Sequence, residues 1–309
     1  MLLYPGTSQF MTWIHAALIS AAILAVVNVI DSHLVSRRFT GIRAFLLLLG
    51  CIHLAYGLAL SLLTPLPAGV DASSLGFAIV SSFIRTGAII ILLDGLRHRE
   101  VSTVIPVVHT YPMFVAVIAF VALGERLVLL QWCAIAIVAS GAVLISLNRE
   151  PSRLRTGRPR FALIVLASLL FALADVSGKV ALEQITFWNL FWIGALILGG
   201  VFLAVSLRRT VIADIVALPD RTRALGLVLL NEVIASVGII VSYWALQHGP
   251  VSLVSTLLST RPLFVLLFAL VLNWWAPGFL FWSGGRRLVV VRVIATLLIV
   301  AGVALIEVS

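Results

Sequence analysis

Ten apolar runs, each long enough to cross a bilayer as a helix, alternate with short polar breaks along the chain. They fall near residues 11–31, 42–63, 75–96, 101–122, 127–147, 161–182, 188–207, 224–246, 251–272 and 290–308, here spans 1 to 10. A hydrocarbon core about 30 Å thick needs roughly 20 such residues per helix. Runs such as Ala44–Leu63 and Phe161–Leu173 are continuously apolar, which excludes the alternating pattern of a membrane β-barrel. The segment Arg149–Arg160 is the one hydrophilic linker and divides the chain near its midpoint. The predicted architecture is an all-α polytopic membrane protein with units 1–148 and 161–309 joined by a basic linker 149–160.

Composition sharpens this. Of 309 residues, 62% are apolar and 11% charged, with a mean hydropathy of +1.18. Soluble domains hold about 45–50% apolar and about 25% charged residues. A soluble enzyme, a disordered chain and a disulfide scaffold are thereby excluded. Cys51 and Cys133 lie inside apolar runs, away from any histidine at metal-ligand spacing, so neither a disulfide framework nor a metal or cofactor site is expected. Met1–Phe10 holds no Lys or Arg, and Trp13–Ile30 is long enough to span; no cleavable signal peptide is expected.

The formal net charge of +9 invites a nucleic-acid reading, but the placement of the arginines removes the need for one. Odd-numbered connections hold 17 of the 21 basic residues, from Arg37, Arg38 and Arg43 to Arg286, Arg287 and Arg292; even-numbered ones hold only Arg126. Basic residues collect in cytoplasmic loops, which predicts cytoplasmic odd loops and both termini outside; the dominance of arginine and the brief exterior loops suit a bacterial inner membrane. Trp13, Trp132, Trp188, Trp192, Trp244, Trp274, Trp275 and Trp282 fall near span ends or in the last loop and read as interfacial anchors.

The sequence repeats itself. Leu96–Val104 aligns with Leu246–Val254 at an offset of 150, and Thr110-Tyr111-Pro112 then matches Thr260-Arg261-Pro262 without a gap. Ser140-Gly141-Ala142-Val143-Leu144-Ile145 in span 5 matches Ala301-Gly302-Val303-Ala304-Leu305-Ile306 in span 10. Each half contains five spans, and an odd number inserts the second copy upside-down. Inverted repeats are a signature of secondary transporters with a midplane site between the halves.

Pro112, then Gly124-Glu125 after 12 residues, then an apolar helix closing with Gly141-Ala142-Val143-Leu144 resembles the EamA-like branch of the drug/metabolite transporter superfamily. The second copy departs from the pattern: Trp274-Trp275 stand in place of the Gly-Glu pair, with about eleven extra residues before span 10. The resemblance implies a cavity lined by spans 1, 3, 4, 6, 8 and 9, with 5 and 10 peripheral. It also implies export or exchange of small polar metabolites such as amino acids, sugars and phosphorylated or nucleotide-linked compounds.

Ionisable residues inside spans cost roughly 2.5–3.5 kcal/mol each to insert, so each is a functional candidate. Arg85 is central in span 3 and Arg261 in span 9; Tyr111 is the repeat mate of Arg261, and Glu232 in span 8 aligns with Ser82. Convergence of these four leaves more positive charge than Glu232 neutralises, which predicts an anionic or zwitterionic substrate, since the guanidinium fork suits carboxylate and phosphate. The alternative is a structural Arg85–Glu232 pair, with Arg261 held by carbonyls and Tyr111. Asp175 and Lys179 stand at i and i+4 in span 6; an intrahelical pair is the favoured expectation and an anion contact by Lys179 the alternative. The string ending at Lys179 lacks the leading glycine and the following Ser or Thr of a P-loop. His109 lies between Pro106 and Pro112, where a loosened helix offers carbonyls and an imidazole that titrates near neutral pH in water. Asn28, Asp31 and His33 end span 1, where they shape a cavity mouth or, as favoured, are simply exposed. Ser252, Ser255 and Ser259 form a stripe in span 9 that suits close packing or cavity lining.

Three functions compete. The favoured one is a carrier working by alternating access, with proton coupling through Glu232 or His109 compatible and no nucleic-acid partner. A flippase for a lipid-linked phosphate would use the same arginines. An intramembrane enzyme is disfavoured, because no metalloprotease histidine pair, nucleophile elbow or metal-spaced carboxylate cluster occurs.

Overall fold

The computed structural model describes residues 7–98, 101–147, 158–275 and 286–308. All regular elements among them are helices: α1 (Thr7–His33), α2 (Ile42–Leu63), α3 (Ala72–His98), α4 (Val101–Val108), α5 (Pro112–Ala122), α6 (Leu129–Leu147), α7 (Arg158–Ala181), α8 (Phe187–Ser206), α9 (Arg209–Val216), α10 (Arg221–His248), α11 (Val251–Leu258), α12 (Arg261–Trp275) and α13 (Arg286–Val308), with a π-helical turn at Leu34–Arg38 after α1. Eight segments are long and apolar enough to cross a membrane; Leu129–Gly141 and Ile294–Val308 are shorter apolar helices. The chain is a polytopic, all-helical membrane protein. Most of the linker 149–160 and of the loop after span 9 lies outside the described residues, as do the side chains of Trp274, Trp275 and Trp282.

Spans 4 and 9 are each broken in two. The breaks fall at His109–Tyr111 and Ser259–Thr260, before Pro112 at the first position of α5 and Pro262 at the second of α12. Proline cannot donate to the preceding turn but suits the first turn of a new helix. At both breaks a threonine hydroxyl adds a second bond to the carbonyl three residues back: Thr110 Oγ1 donates to the Val107 carbonyl and Thr260 Oγ1 to the Leu257 carbonyl, each at 2.8 Å, beside their own amides. The half-helices α4 and α11 have eight residues each and start 150 positions apart. After them the copies diverge. Gly124, at φ +66°, closes α5 in a left-handed turn; Trp274-Trp275 offer no such residue, and α12 runs on to Trp275.

The most extensive pairings, α3 with α7, α2 with α8, α6 with α13 and α1 with α10, all join one half to the other. Exchanging the halves maps α3–α7 onto α10–α1 and leaves the other two pairs on themselves. Glycines set the approach in two of these pairs. A Cβ on Gly199 would lie 3.0 Å from the Gly50 carbonyl and 2.8 Å from Leu54 Cγ. On Gly302 it would lie 2.5 Å from Val138 Cγ2 and 3.1 Å from the Ala134 carbonyl. Without a strong hydrophobic drive between helices in lipid, close backbone packing carries the association. Gly302→Leu is expected to destabilise by about 1–3 kcal/mol through overpacking, read as a lower melting midpoint in detergent, whereas Leu at Gly200, which faces open space, leaves it unchanged.

Two expectations are corrected here. Trp13 is not an interfacial anchor: it is 2% exposed in the core, its ring packed where a side chain on Gly249 would otherwise sit. Span 1 does not end at Asp31 in exposed polar residues. The helix continues through His33 into the π turn, and Asn28 is 5% exposed, because its polar residues face α10 rather than water.

Candidate functional site

Polar residues of spans 3, 4, 6, 8 and 9 meet between the two halves. From α3, Arg85 Nη2 donates to Asp175 Oδ1 of α7 at 2.6 Å. The second Asp175 oxygen accepts from Ser255 Oγ of α11 at 3.1 Å. The Arg85 guanidinium also lies over the Tyr243 ring of α10, 5.2 Å from its centroid, within cation–π range. Asp175 and Tyr243 are buried. One ion pair thus draws together four helices from both halves.

Arg261 enters the same cluster from the start of α12, within electrostatic reach of Tyr111, Asp175 and Arg85. Its Nε is buried without a hydrogen-bond partner, as is Arg85 Nε. His109 packs edge-on to Tyr111, ring centroids 5.7 Å apart at 66°, close to Arg261, and its Nδ1 is likewise unpartnered. Two guanidiniums against one carboxylate leave one positive charge. The breaks lie beside it: α5 starts at Pro112, next to Tyr111, and α12 starts at Arg261 itself, and helix N-termini favour anions.

Three of the four residues expected to converge, Arg85, Tyr111 and Arg261, therefore do so; Glu232 does not. It lies 3.5 Å from His53 Nδ1 and within electrostatic reach of Asp31, while Arg85 pairs with Asp175. The expected Asp175–Lys179 pair is also absent. Lys179 Nζ instead donates to the carbonyls of Leu246, Gln247 and Gly249 at 2.8, 3.3 and 2.8 Å, because the C-terminal end of α10 offers unsatisfied acceptors and a favourable dipole. That employment removes Lys179 from the anion site. Asn28 lies one turn before Asp31, its Nδ2 buried and unpartnered.

Tyr243 carries no signal in the sequence beyond an aromatic in an apolar run, and Glu125 stands there only as part of the Gly-Glu pair. Glu125 accepts from the Val251 amide at 2.7 Å, the Ser252 amide at 3.3 Å and Ser252 Oγ at 2.5 Å, capping α11 across the halves. The left-handed Gly124 turn delivers it there. Beside it, Lys179 holds the end of α10, so the junction 246–252 is clamped by an acid and a base. Further bonds close the same face: Asp71 with Gln184, Asn189 and Trp192 with the Thr64 carbonyl, and Gln247 with Leu182, Ile185 and Phe187.

Residues 11–147 match the sequence model of the EamA-like transporter family. No curated protein matches the chain. A solved structure described only as a crystal structure of a protein superposes with a TM-score of 0.58 at 18% identity, over 96% of each chain; at that identity the likeness concerns the fold.

Proposed function

Since residues 11–147 place the chain in the EamA-like transporter family of the drug/metabolite transporter superfamily, we propose that it is a secondary carrier for a small anionic or zwitterionic metabolite. The single observation carrying the substrate class is the surplus guanidinium charge between the halves: Arg261, with its buried and unpartnered Nε, beside an Arg85 already matched by Asp175. A carboxylate or phosphate suits that fork and the helix ends beside it.

In this reading ten spans form two inverted halves, 1–148 and 161–309, in a bacterial inner membrane with both termini outside. The cross-half pairings that survive exchange of the halves, and the breaks 150 residues apart, support it. Alternating access requires the two faces to open in turn. The face closed by Glu125, Lys179, Asn189 and Gln184 is sealed, and a substrate enters from the other. Glu125→Gln weakens a charged cap whose kind contributes about 0.5–2 kcal/mol. In a chain with Cys51 and Cys133 replaced by Ser and a cysteine at Thr64, it is expected to speed labelling by an impermeant maleimide several-fold. An unchanged rate in the Gln variant contradicts the latch.

The experiment for the substrate class is a thermal-shift screen of purified protein against anionic, zwitterionic, cationic and neutral metabolites, repeated on Arg261→Ala and Arg85→Ala. Stabilisation by anion-bearing compounds that disappears in at least one variant supports the assignment. Equal responses in all three proteins remove it.

A further inference from the structure

A second polar cluster, separate from the arginines, lies between α1, α2 and α10. Asp31 Oδ1 accepts from Asn231 Nδ2 at 2.8 Å, and Glu232, the next residue of α10, is within electrostatic reach of Asp31. His53 Nδ1 donates to the Leu49 carbonyl at 2.8 Å and lies 3.5 Å from Glu232 Oε2. Tyr56 of α2 interacts with Ser236, Glu232 and Tyr243. Nearby, His33 at the end of α1 interacts with Arg37 and Arg38 of the π turn, and Arg97 of α3 donates to the Val35 and Thr40 carbonyls. Arg85 is committed to Asp175 and Lys179 to the end of α10, so neither of these two cations is spent on Asp31 or Glu232.

Two carboxylates within electrostatic reach of each other, one buried (Glu232) and one part-buried (Asp31), repel when both are charged. The independent observation is the Asn231 amide. Its Nδ2 is used on Asp31, yet its Oδ1 is buried, in a residue 1% exposed, with no donor in reach. A carboxyl that carries a proton is a donor as well as an acceptor; protonated Asp31 can return a hydrogen bond to the same amide it accepts from. A proton thus meets both requirements at once, cancelling one negative charge and supplying the missing donor.

We propose that Asp31 and Glu232, framed by Asn231, Asn28 and His53, form a proton-binding site distinct from the anion site, whose loading tightens the contact of α1 with α10 across the halves. The proton site stands on the geometry of this cluster; its use in coupling rests on the carrier reading. Emptying it restores the repulsion between the two acids and leaves Asn231 Oδ1 without a donor, loosening a pairing that joins the halves.

Infrared difference spectroscopy of the purified full chain in lipid, titrated through the neutral range, reads the site directly and needs no transported solute. Wild type is expected to show a protonated-carboxyl C=O band that fades as pH rises, and Asp31→Asn or Glu232→Gln to lose it, while Asp71→Asn, on the sealed face, keeps it. A wild type with no such band overturns the proposal without any variant. A band that persists in both Asp31→Asn and Glu232→Gln overturns it equally, by assigning the proton elsewhere. Because no flux is measured, the carrier reading can fail while this result stands, and the reverse.

Discussion

Asp175→Asn is expected to destabilise the detergent-solubilised protein by about 3–5 kcal/mol, the usual cost of stripping one partner from a buried ion pair. The substitution leaves Arg85 charged between the halves with its counter-ion gone, and it leaves a single carboxamide oxygen where Arg85 and Ser255 Oγ each had an acceptor of their own. Both losses fall on the contact between α3, α7 and α11. A double variant, Arg85→Gln with Asp175→Asn, replaces the ion pair by a neutral hydrogen-bonded one and is expected to recover more than half of the loss. Chemical or thermal melts of the three proteins under one detergent condition decide this. A single variant as stable as wild type contradicts the pairing, and a double variant no better than the single one contradicts its role as counter-ion.

Arg261→Gln separates binding from folding. The Arg261 Nε satisfies no acceptor, so its removal is expected to leave the melting midpoint of the ligand-free protein within about 0.5 kcal/mol of wild type. The cost appears on the ligand. Losing one member of a desolvated charge pair weakens binding by 2 kcal/mol or more, roughly 30-fold in Kd. Titration of the stabilising anion from the metabolite screen, followed by thermal shift, measures it. Unchanged affinity in Arg261→Gln places the anion elsewhere. A collapse of the ligand-free fold makes Arg261 a structural residue.

Much of the architecture was legible from hydropathy because a bilayer demands long apolar helices and little else. Pro106 and Pro112 marked span 4 as loosened, whereas the corresponding break of span 9 before Pro262 emerges only in the structure. The side-chain pairings were less legible, because helix spacing orders neighbours on one helix only. Asp175 and Lys179 are adjacent on α7 by that rule, yet each finds a stronger partner on another helix: the Arg85 guanidinium in one case and the open end of α10 in the other. Rotation of α10 decides that Glu232 faces Asp31 and His53 rather than Arg85, and no single-sequence pattern encodes that angle. Glu125 was visible as part of a motif, but its role as a cap depended on a left-handed glycine and on a helix 126 residues downstream. Polar residues near the end of span 1 read as a wet boundary; burial against α10 makes them part of the interior.

In the proposed carrier, Arg261 receives an anionic group between the two halves. Uptake of labelled carboxylate- and phosphate-bearing metabolites into proteoliposomes tests this most directly, with wild type, Arg261→Gln and empty vesicles in parallel. Saturable uptake of at least one such compound by wild type, reduced to the empty-vesicle level in Arg261→Gln, is the expected result. Flux by Arg261→Gln equal to wild type, or no flux above empty vesicles for any anion-bearing compound, contradicts it.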